Sequence, residues 1–150
     1  MSYTIGSLFA GIGGFDLGFA RAGFRADWQV EIDPWCRRVL AKHWPDARRH
    51  DDIRTFPPTD PAEWRVDVLC GGFPCQDISS AGRRAGIKHG TRSGLFFDVI
   101  RAIATLRPPV VVLENVAALR WRGGGLDLVL AELHQAGYDC VWTSLRASDI

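Results

Sequence analysis

Short β-type runs alternate with stretches of helical periodicity along the whole chain, and this alternation narrows the possible folds more than any other feature. Strands are expected at residues 4–9, 27–32, a short run ending before Asp52, 66–70, 110–113 and 138–145. Helices are expected at 15–22, 35–43, 94–106 and 126–136, with Pro34 opening the second, Pro108-Pro109 stopping the third and Gly137 closing the last. Strands joined through helices of this length build βαβ units. The expected class is therefore α/β, a three-layer architecture around a mostly parallel twisted sheet covered on both faces.

The chain has 150 residues, enough for one domain with a real core. Its formal net charge is +1, so any surface for a polyanion must be local. Nothing approaches the roughly 18 consecutive apolar residues of a membrane span, and the first residues enter a strand-like run without a secretory leader. The cysteines at 36, 70, 75 and 140 form no C-x-x-C pair and no zinc-type cluster. Free thiols in a cytoplasmic setting are expected, with no metal. Cys36, Cys70 and Cys140 read as buried structural thiols.

Two groups of residues carry the chemistry. The first is the turn Phe9-Ala10-Gly11-Ile12-Gly13-Gly14 between the first strand and the first helix. Glycines there let the main chain pass close to a ligand, and a helix N-terminus offers unpaired N–H groups. A dinucleotide fingerprint would place a third glycine at position 16, where this chain has Asp16, which weighs against NAD. Glu31 closes the second strand where an acid accepts ribose hydroxyls, and Ile32 beside it can cover a purine face. Asp52-Ile53 closes the third and can read the purine amino edge. Each acid alone reads equally well as a solvated strand end or a turn former; together they favour an adenosine pocket.

The second group surrounds Cys75 in Gly71-Gly72-Phe73-Pro74-Cys75-Gln76, directly after a buried-type strand. Pro74 stiffens the approach to Cys75 and biases Phe73 toward an extended backbone. Glu114, heading Glu114-Asn115-Val116, ends a neighbouring strand and is expected to be partly desolvated and suited to proton donation. In an open parallel sheet, ligands bind outside the strands' carboxyl ends, so thiol, acid and glycine turn should share one edge. The segment between Ile78 and Phe97 carries Ser79, Ser80, Arg83, Arg84, Lys88, His89 and Arg92 and no acid. It suits phosphate contact and closure over a substrate, although basic runs are more often simply solvated.

These residues resemble the C5-cytosine DNA methyltransferase family. Ser7-Leu8-Phe9-Ala10-Gly11-Ile12-Gly13-Gly14-Phe15 is similar to its cofactor motif. Glu31-Ile32-Asp33 and Asp52-Ile53 are similar to its adenosine-binding positions, Gly72-Phe73-Pro74-Cys75-Gln76 to the nucleophile motif, and Glu114-Asn115-Val116 to the base-contacting motif. Arg92-Ser93-Gly94-Leu95-Phe96-Phe97-Asp98 follows the family pattern where the mobile loop ends.

The resemblance implies a Rossmann-like methyltransferase fold and a reaction on cytosine in double-stranded DNA, of the kind found in restriction-modification. Cys75 would attack C6 and Glu114 would hold N3. Phe9, Ala10, Gly11, Gly13, Gly14, Glu31, Ile32, Asp52, Ile53 and Leu95 would hold S-adenosyl-L-methionine. Phe73, Pro74, Gln76, Ser79, Arg92, Asn115 and Val116 would face the substrate. It further implies that residues 1–150 form an incomplete S-adenosylmethionine-binding catalytic domain, truncated before the paired-arginine motif, the target-recognition region and the final cofactor motif. A second polypeptide is one candidate carrier of the recognition region. The competing readings are an inactive remnant or non-catalytic subunit of a split enzyme and, less favoured, an NAD-type oxidoreductase.

Overall fold

The computed structural model describes residues 2–74, 94–121, 124–146 and 148. Five strands form one parallel sheet: β1 (Thr4–Leu8), β2 (Arg25–Val30), β3 (Arg48–His50), β4 (Val68–Gly72) and β5 (Val110–Glu114), in the order β3-β2-β1-β4-β5. Helices α1 (Gly14–Arg21) and α2 (Pro34–His43) follow β1 and β2, α3 (Leu95–Leu106) precedes β5, and α4 (Leu126–Gln135) follows it. After β1 the chain winds outward through β2 and β3, then returns to pair β4 with the other side of β1. The strand order therefore reverses between β1 and β4, and the crevice at their carboxyl ends is where an open α/β sheet takes its ligand.

Alternate residues of the central strands supply two apolar layers. Ile5, Val68 and Cys70 point to one face, where Phe15 and Phe19 of α1 cover them. Leu8, Trp28, Val30 and Leu69 belong to the larger layer, filled by Phe96, Val99, Ile103 and Leu106 of α3 and by Phe56 and Trp64. Trp28 is fully buried, and its indole N–H donates to the Trp64 carbonyl at 2.8 Å, so the bulkiest core ring leaves no polar atom unpaired. A Cβ on Gly6 would lie 2.0 Å from that ring, and β1 can thus run past Trp28 only with glycine there. At the opposite end of the sheet from the crevice, the Asp67 carboxylate accepts from both the backbone N–H and the hydroxyl of Thr4, at 2.7 and 2.8 Å, pinning the start of β1 to the start of β4.

One expected strand does not form. Residues 138–145 alternate in polarity, yet residues 138–146 join no ladder, and Val141, Trp142 and Leu145 stand exposed. Alternation prepares a segment for one face of a sheet; a strand also needs a neighbour for its backbone groups, and β5 pairs only with β4 among the described residues. Cys140 is consequently exposed rather than buried, while Cys36 is half-buried and only Cys70 lies fully in the core. Among the described residues no helix is long and apolar enough to cross a membrane.

Candidate active site

The turn leaving β1 is built from backbone conformations that few residues tolerate. Gly11 and Gly13 adopt φ values of 56° and 92°, and Phe9 adopts 52°, left-handed for a residue that carries a side chain. Such a conformation costs free energy and concentrates at ligand-binding turns. Ala10 N–H donates to the Val30 carbonyl at 3.1 Å, so the turn starts as a continuation of the sheet before lifting away from it. A Cβ on Gly13 would sit 2.4 Å from the Trp44 ring that follows α2, whereas one on Gly11 would meet nothing within 4 Å. Gly13 is thus required by packing and Gly11 by its backbone angle, which leaves open space above Gly11.

Glu31 follows β2 and reaches back to this turn. Its two carboxylate oxygens accept from Gly11 N–H at 2.7 Å and Asp33 N–H at 2.8 Å, clamping the glycine turn to the start of α2. Each oxygen keeps a second lone pair for a further donor. Ile32 beside it is 63% exposed and offers an uncovered apolar face. Asp33 caps α2 by accepting from Trp35 and Cys36 N–H, and these bonds hold its carboxyl below the usual carboxylate range. Sequence reasoning assigned Asp33 no capping role, although an Asp directly before a helix-opening proline was the available signal.

Asp52 stands between β3 and the 3-10 turn Ile53–Thr55, which it caps through Arg54 N–H. The Arg54 guanidinium also reaches its carboxylate, with Nη2 2.6 Å from Oδ2, and holds the Asp52 carboxyl below its ordinary range. Asp52 is therefore anionic and aimed by its partner. Ile53 is buried among the core residues, so only its backbone can face a ligand. Ala10 is nearly buried as well, and Leu95, first residue of α3, packs against the core. Gly14 opens α1.

At the end of β4 the structure brings the second group together. Gly72 pairs in register with Glu114 of β5, and a Cβ on Gly72 would lie 2.9 Å from Glu114 Oε2. The carboxylate therefore rests over a position that only glycine leaves free. A Cβ on Gly71 would lie 2.7 Å from the Leu8 carbonyl, so β1 and β4 approach closely at the reversal point. Phe73 turns inward onto Phe96, ring centroids 5.0 Å apart, and is buried. Its carbonyl accepts from Asn115 Nδ2 at 3.0 Å, while Asn115 Oδ1 accepts from Val116 N–H at 2.8 Å. Asn115 is thereby a strut between the ends of β4 and β5, a role that required knowledge of their register. Val116 is exposed.

Glu114 is exposed, which corrects the expectation of partial desolvation: its neighbour Gly72 has no side chain, and β5 lies at the edge of the described sheet. Pro74 is the last described residue on this side; Cys75, Gln76, Ser79 and Arg92 lie outside the described residues. Among those described, no group of three or more His, Cys, Asp or Glu side chains converges as a metal site.

Residues 3–150 match the sequence profile of the family described as C-5 cytosine-specific DNA methylase. The chain is 36% identical over 150 residues to the type II methyltransferase M.CviJI of Paramecium bursaria Chlorella virus IL3A, covering all of this chain and 40% of that protein. It is likewise 36% identical over 148 residues to the type II methyltransferase M.Bsp6I of Bacillus sp. (strain RFL6), covering 97% of this chain and 46% of that relative. The fold is similar to that of a Spodoptera frugiperda DNMT2 mutant, with a TM-score of 0.68 at 22% identity over 90% of this chain and 41% of the other. This chain thus spans less than half the length of these relatives. Its match over nearly every residue, on a parallel sheet of this order, places it in the C-5 cytosine-specific DNA methylase family.

Proposed function

We propose that residues 1–150 are the cofactor-binding and catalytic part of an enzyme that transfers a methyl group from S-adenosyl-L-methionine to C5 of cytosine in double-stranded DNA. The observation that carries this reading is the alignment of Gly72 with Glu114 at the carboxyl ends of β4 and β5. It sets an acid beside the segment Phe73-Pro74 that leads into Cys75, next to the reversal point between β1 and β4.

The residues present fit an adenosyl cofactor. Glu31 offers free lone pairs to ribose hydroxyls, the exposed face of Ile32 suits a purine ring, and the anionic Asp52 suits its amino group. The open space over Gly11 admits the ligand against the main chain. When bound, the cofactor supplies an electrophilic methyl group.

Cys75 does the covalent work. A cytosine must leave the duplex stack before a side chain can reach its ring. The Cys75 thiolate then adds to C6, forming an S–C6 bond while the 5,6 π electrons move toward C5. Glu114 holds N3 by a hydrogen bond and stabilises the charge that this addition spreads through the ring. The methyl group that the cofactor would supply would be placed on C5, and loss of the C5 proton to a base as the S–C6 bond breaks would then release Cys75. Asn115 keeps the ends of β4 and β5 in register, and with them the spacing of the two groups.

The test uses duplex DNA containing 5-fluorocytosine, in which the fluorine cannot leave as a proton does. With S-adenosylmethionine present, a stable protein–DNA adduct at Cys75 is expected, and Cys75→Ala abolishes it along with all methyl transfer. An adduct or transfer that persists in Cys75→Ala refutes the mechanism. A second reading, a non-catalytic subunit completed by another polypeptide, draws on the exposed apolar residues of segment 138–146. It predicts no adduct at Cys75 of this chain, either alone or once the completing polypeptide is added.

A further inference from the structure

The residue that sets the first turn apart from a dinucleotide fingerprint has a structural role of its own. Asp16, in the first turn of α1, is completely buried, as are Ser7 of β1 and Gln29 of β2. Ser7 Oγ lies 3.1 Å from each Asp16 carboxylate oxygen and donates its single proton there. Gln29 Nε2 donates to Oδ1 at 2.8 Å. One side chain therefore ties the start of a helix to two adjacent strands. In a dinucleotide turn a glycine at this place lets helix and strand touch; here a polar brace spans the gap instead.

The surroundings make the brace costly. The layer is otherwise apolar, with Ile5, Val68, Phe15 and Phe19 around it. None of the ion pairs among the described residues includes Asp16, and burial pushes its carboxyl above the ordinary value. Gln29 Oε1 has no hydrogen-bond partner among the described residues. Apolar side chains of similar volume are often as stabilising as such a buried polar group, or more so. What the trio supplies that apolar residues cannot is a directional tie. The need for one is plain at α1, whose N-cap is Gly13 and which has no side-chain cap. The strained turn 9–14 lies between Ser7 and Asp16, so their bond closes that turn at its base.

On the reading of this turn as the adenosyl-cofactor site, we propose that Asp16, held by Ser7 and Gln29, is a positioning residue that fixes the 9–14 turn in its ligand-ready conformation. It touches no ligand; it acts through the backbone of Gly11 and Gly13.

The test compares the parent chain with Asp16→Asn, Asp16→Ala and an all-apolar variant, Ser7→Ala/Asp16→Val/Gln29→Leu. S-adenosylhomocysteine binding is measured by calorimetry, the unfolding midpoint by circular dichroism, and amide exchange of residues 10–14 by NMR in the ligand-free chain. Asp16→Asn keeps an oxygen acceptor for Ser7 and Gln29, so affinity and exchange should stay within about twofold of the parent. The all-apolar variant should unfold at or above the parent's midpoint yet bind at least tenfold more weakly, with turn amides exchanging at least tenfold faster. Asp16→Ala should show the same loosening even where its midpoint falls. An all-apolar variant that is folded and matches the parent in affinity and exchange overturns the proposal and reduces the trio to core filling. A parent chain that binds no S-adenosylhomocysteine overturns the cofactor reading instead, and the exchange rates alone then decide whether Asp16 holds the turn.

Discussion

Single atoms decide several positions in this crevice. A methyl group on Gly72 would press on Glu114 Oε2 from 2.9 Å, so Gly72→Ala must push the carboxylate off its place over β4. The displaced group is an exposed side-chain end, and the fold should survive with little loss of stability. Methyl transfer by the complete enzyme should fall at least tenfold, measured against an unchanged unfolding midpoint. Gly13 and Gly11 separate two causes of glycine dependence. Gly13→Ala combines a left-handed backbone with a 2.4 Å approach to the Trp44 ring and should cost about 3 kcal/mol or more in urea unfolding. Gly11→Ala meets only the backbone penalty, about 1 kcal/mol. Asp16 has a pH signature of opposite sign to an ordinary paired carboxylate. Its folded-state value is raised, so the folded chain holds the proton more tightly than the unfolded one. The resulting penalty is absent below the unfolded value of about 3.9 and grows as pH rises through the folded value. Asp16→Asn should therefore gain stability over the parent between pH 3 and pH 7; an advantage independent of pH would contradict this.

At the scale of elements, the sequence was most readable where one signal sufficed. The runs that became β4 and β5 are mostly apolar and end in Gly and in an acid, and β1, β2, β4 and β5 each lie within two residues of their expected bounds at either end. The glycine turn, Glu31 and Asp52 fall at strand ends because a parallel sheet sends successive carboxyl ends to one edge. Features that depend on pairing were hidden. Asn115 bridges to Phe73 only because Gly72 and Glu114 share a register, and Asp16 meets Ser7 and Gln29 only through three elements at once. Segment 138–146 misled in the reverse way, since its alternation is a local property and its ladder is not. The thiols expose the same limit. Cys36, Cys70 and Cys140 read alike in sequence, yet burial, followed by the nearby Asp16 charge, pushes the Cys70 thiol up to about 12. Cys140 is exposed. With a disulfide reagent at neutral pH, Cys140 should react in the native chain and Cys70 on the order of 1000-fold more slowly, until denaturant exposes it. Equal rates at the two positions would mean that β4 opens far more readily than its central place in the sheet implies.

The whole molecule carries one conspicuous imbalance. Both edge strands, β3 and β5, offer one side to no strand among the described residues, but β3 is three residues of Arg and His whereas β5 is longer and mostly valine and leucine. A groove of about 850 Å³ runs from Phe73 and Glu114 along β5 to residues 138–146. Val110 is 48% exposed at its rim, and Val141 stands fully in solvent. Unpaired strand edges beside apolar side chains template association with another chain. A net charge of +1 supplies almost no long-range repulsion against it. The 150-residue chain should therefore self-associate with rising concentration, seen as an increasing weight-average mass in sedimentation equilibrium. Charge is the natural remedy for an exposed edge, and Val141→Lys/Leu145→Lys should restore a monomer across the same range. The substitutions lie on fully or largely exposed side chains, so the unfolding midpoint should stay put. If the doubly substituted chain associates as strongly as the parent, the contact lies elsewhere, and the exposed apolar face of α1 around Leu17 becomes the surface to test. If the parent is itself monomeric at high concentration, the edge of β5 is covered in solution, and fast exchange of the β5 amides on that side would no longer be expected.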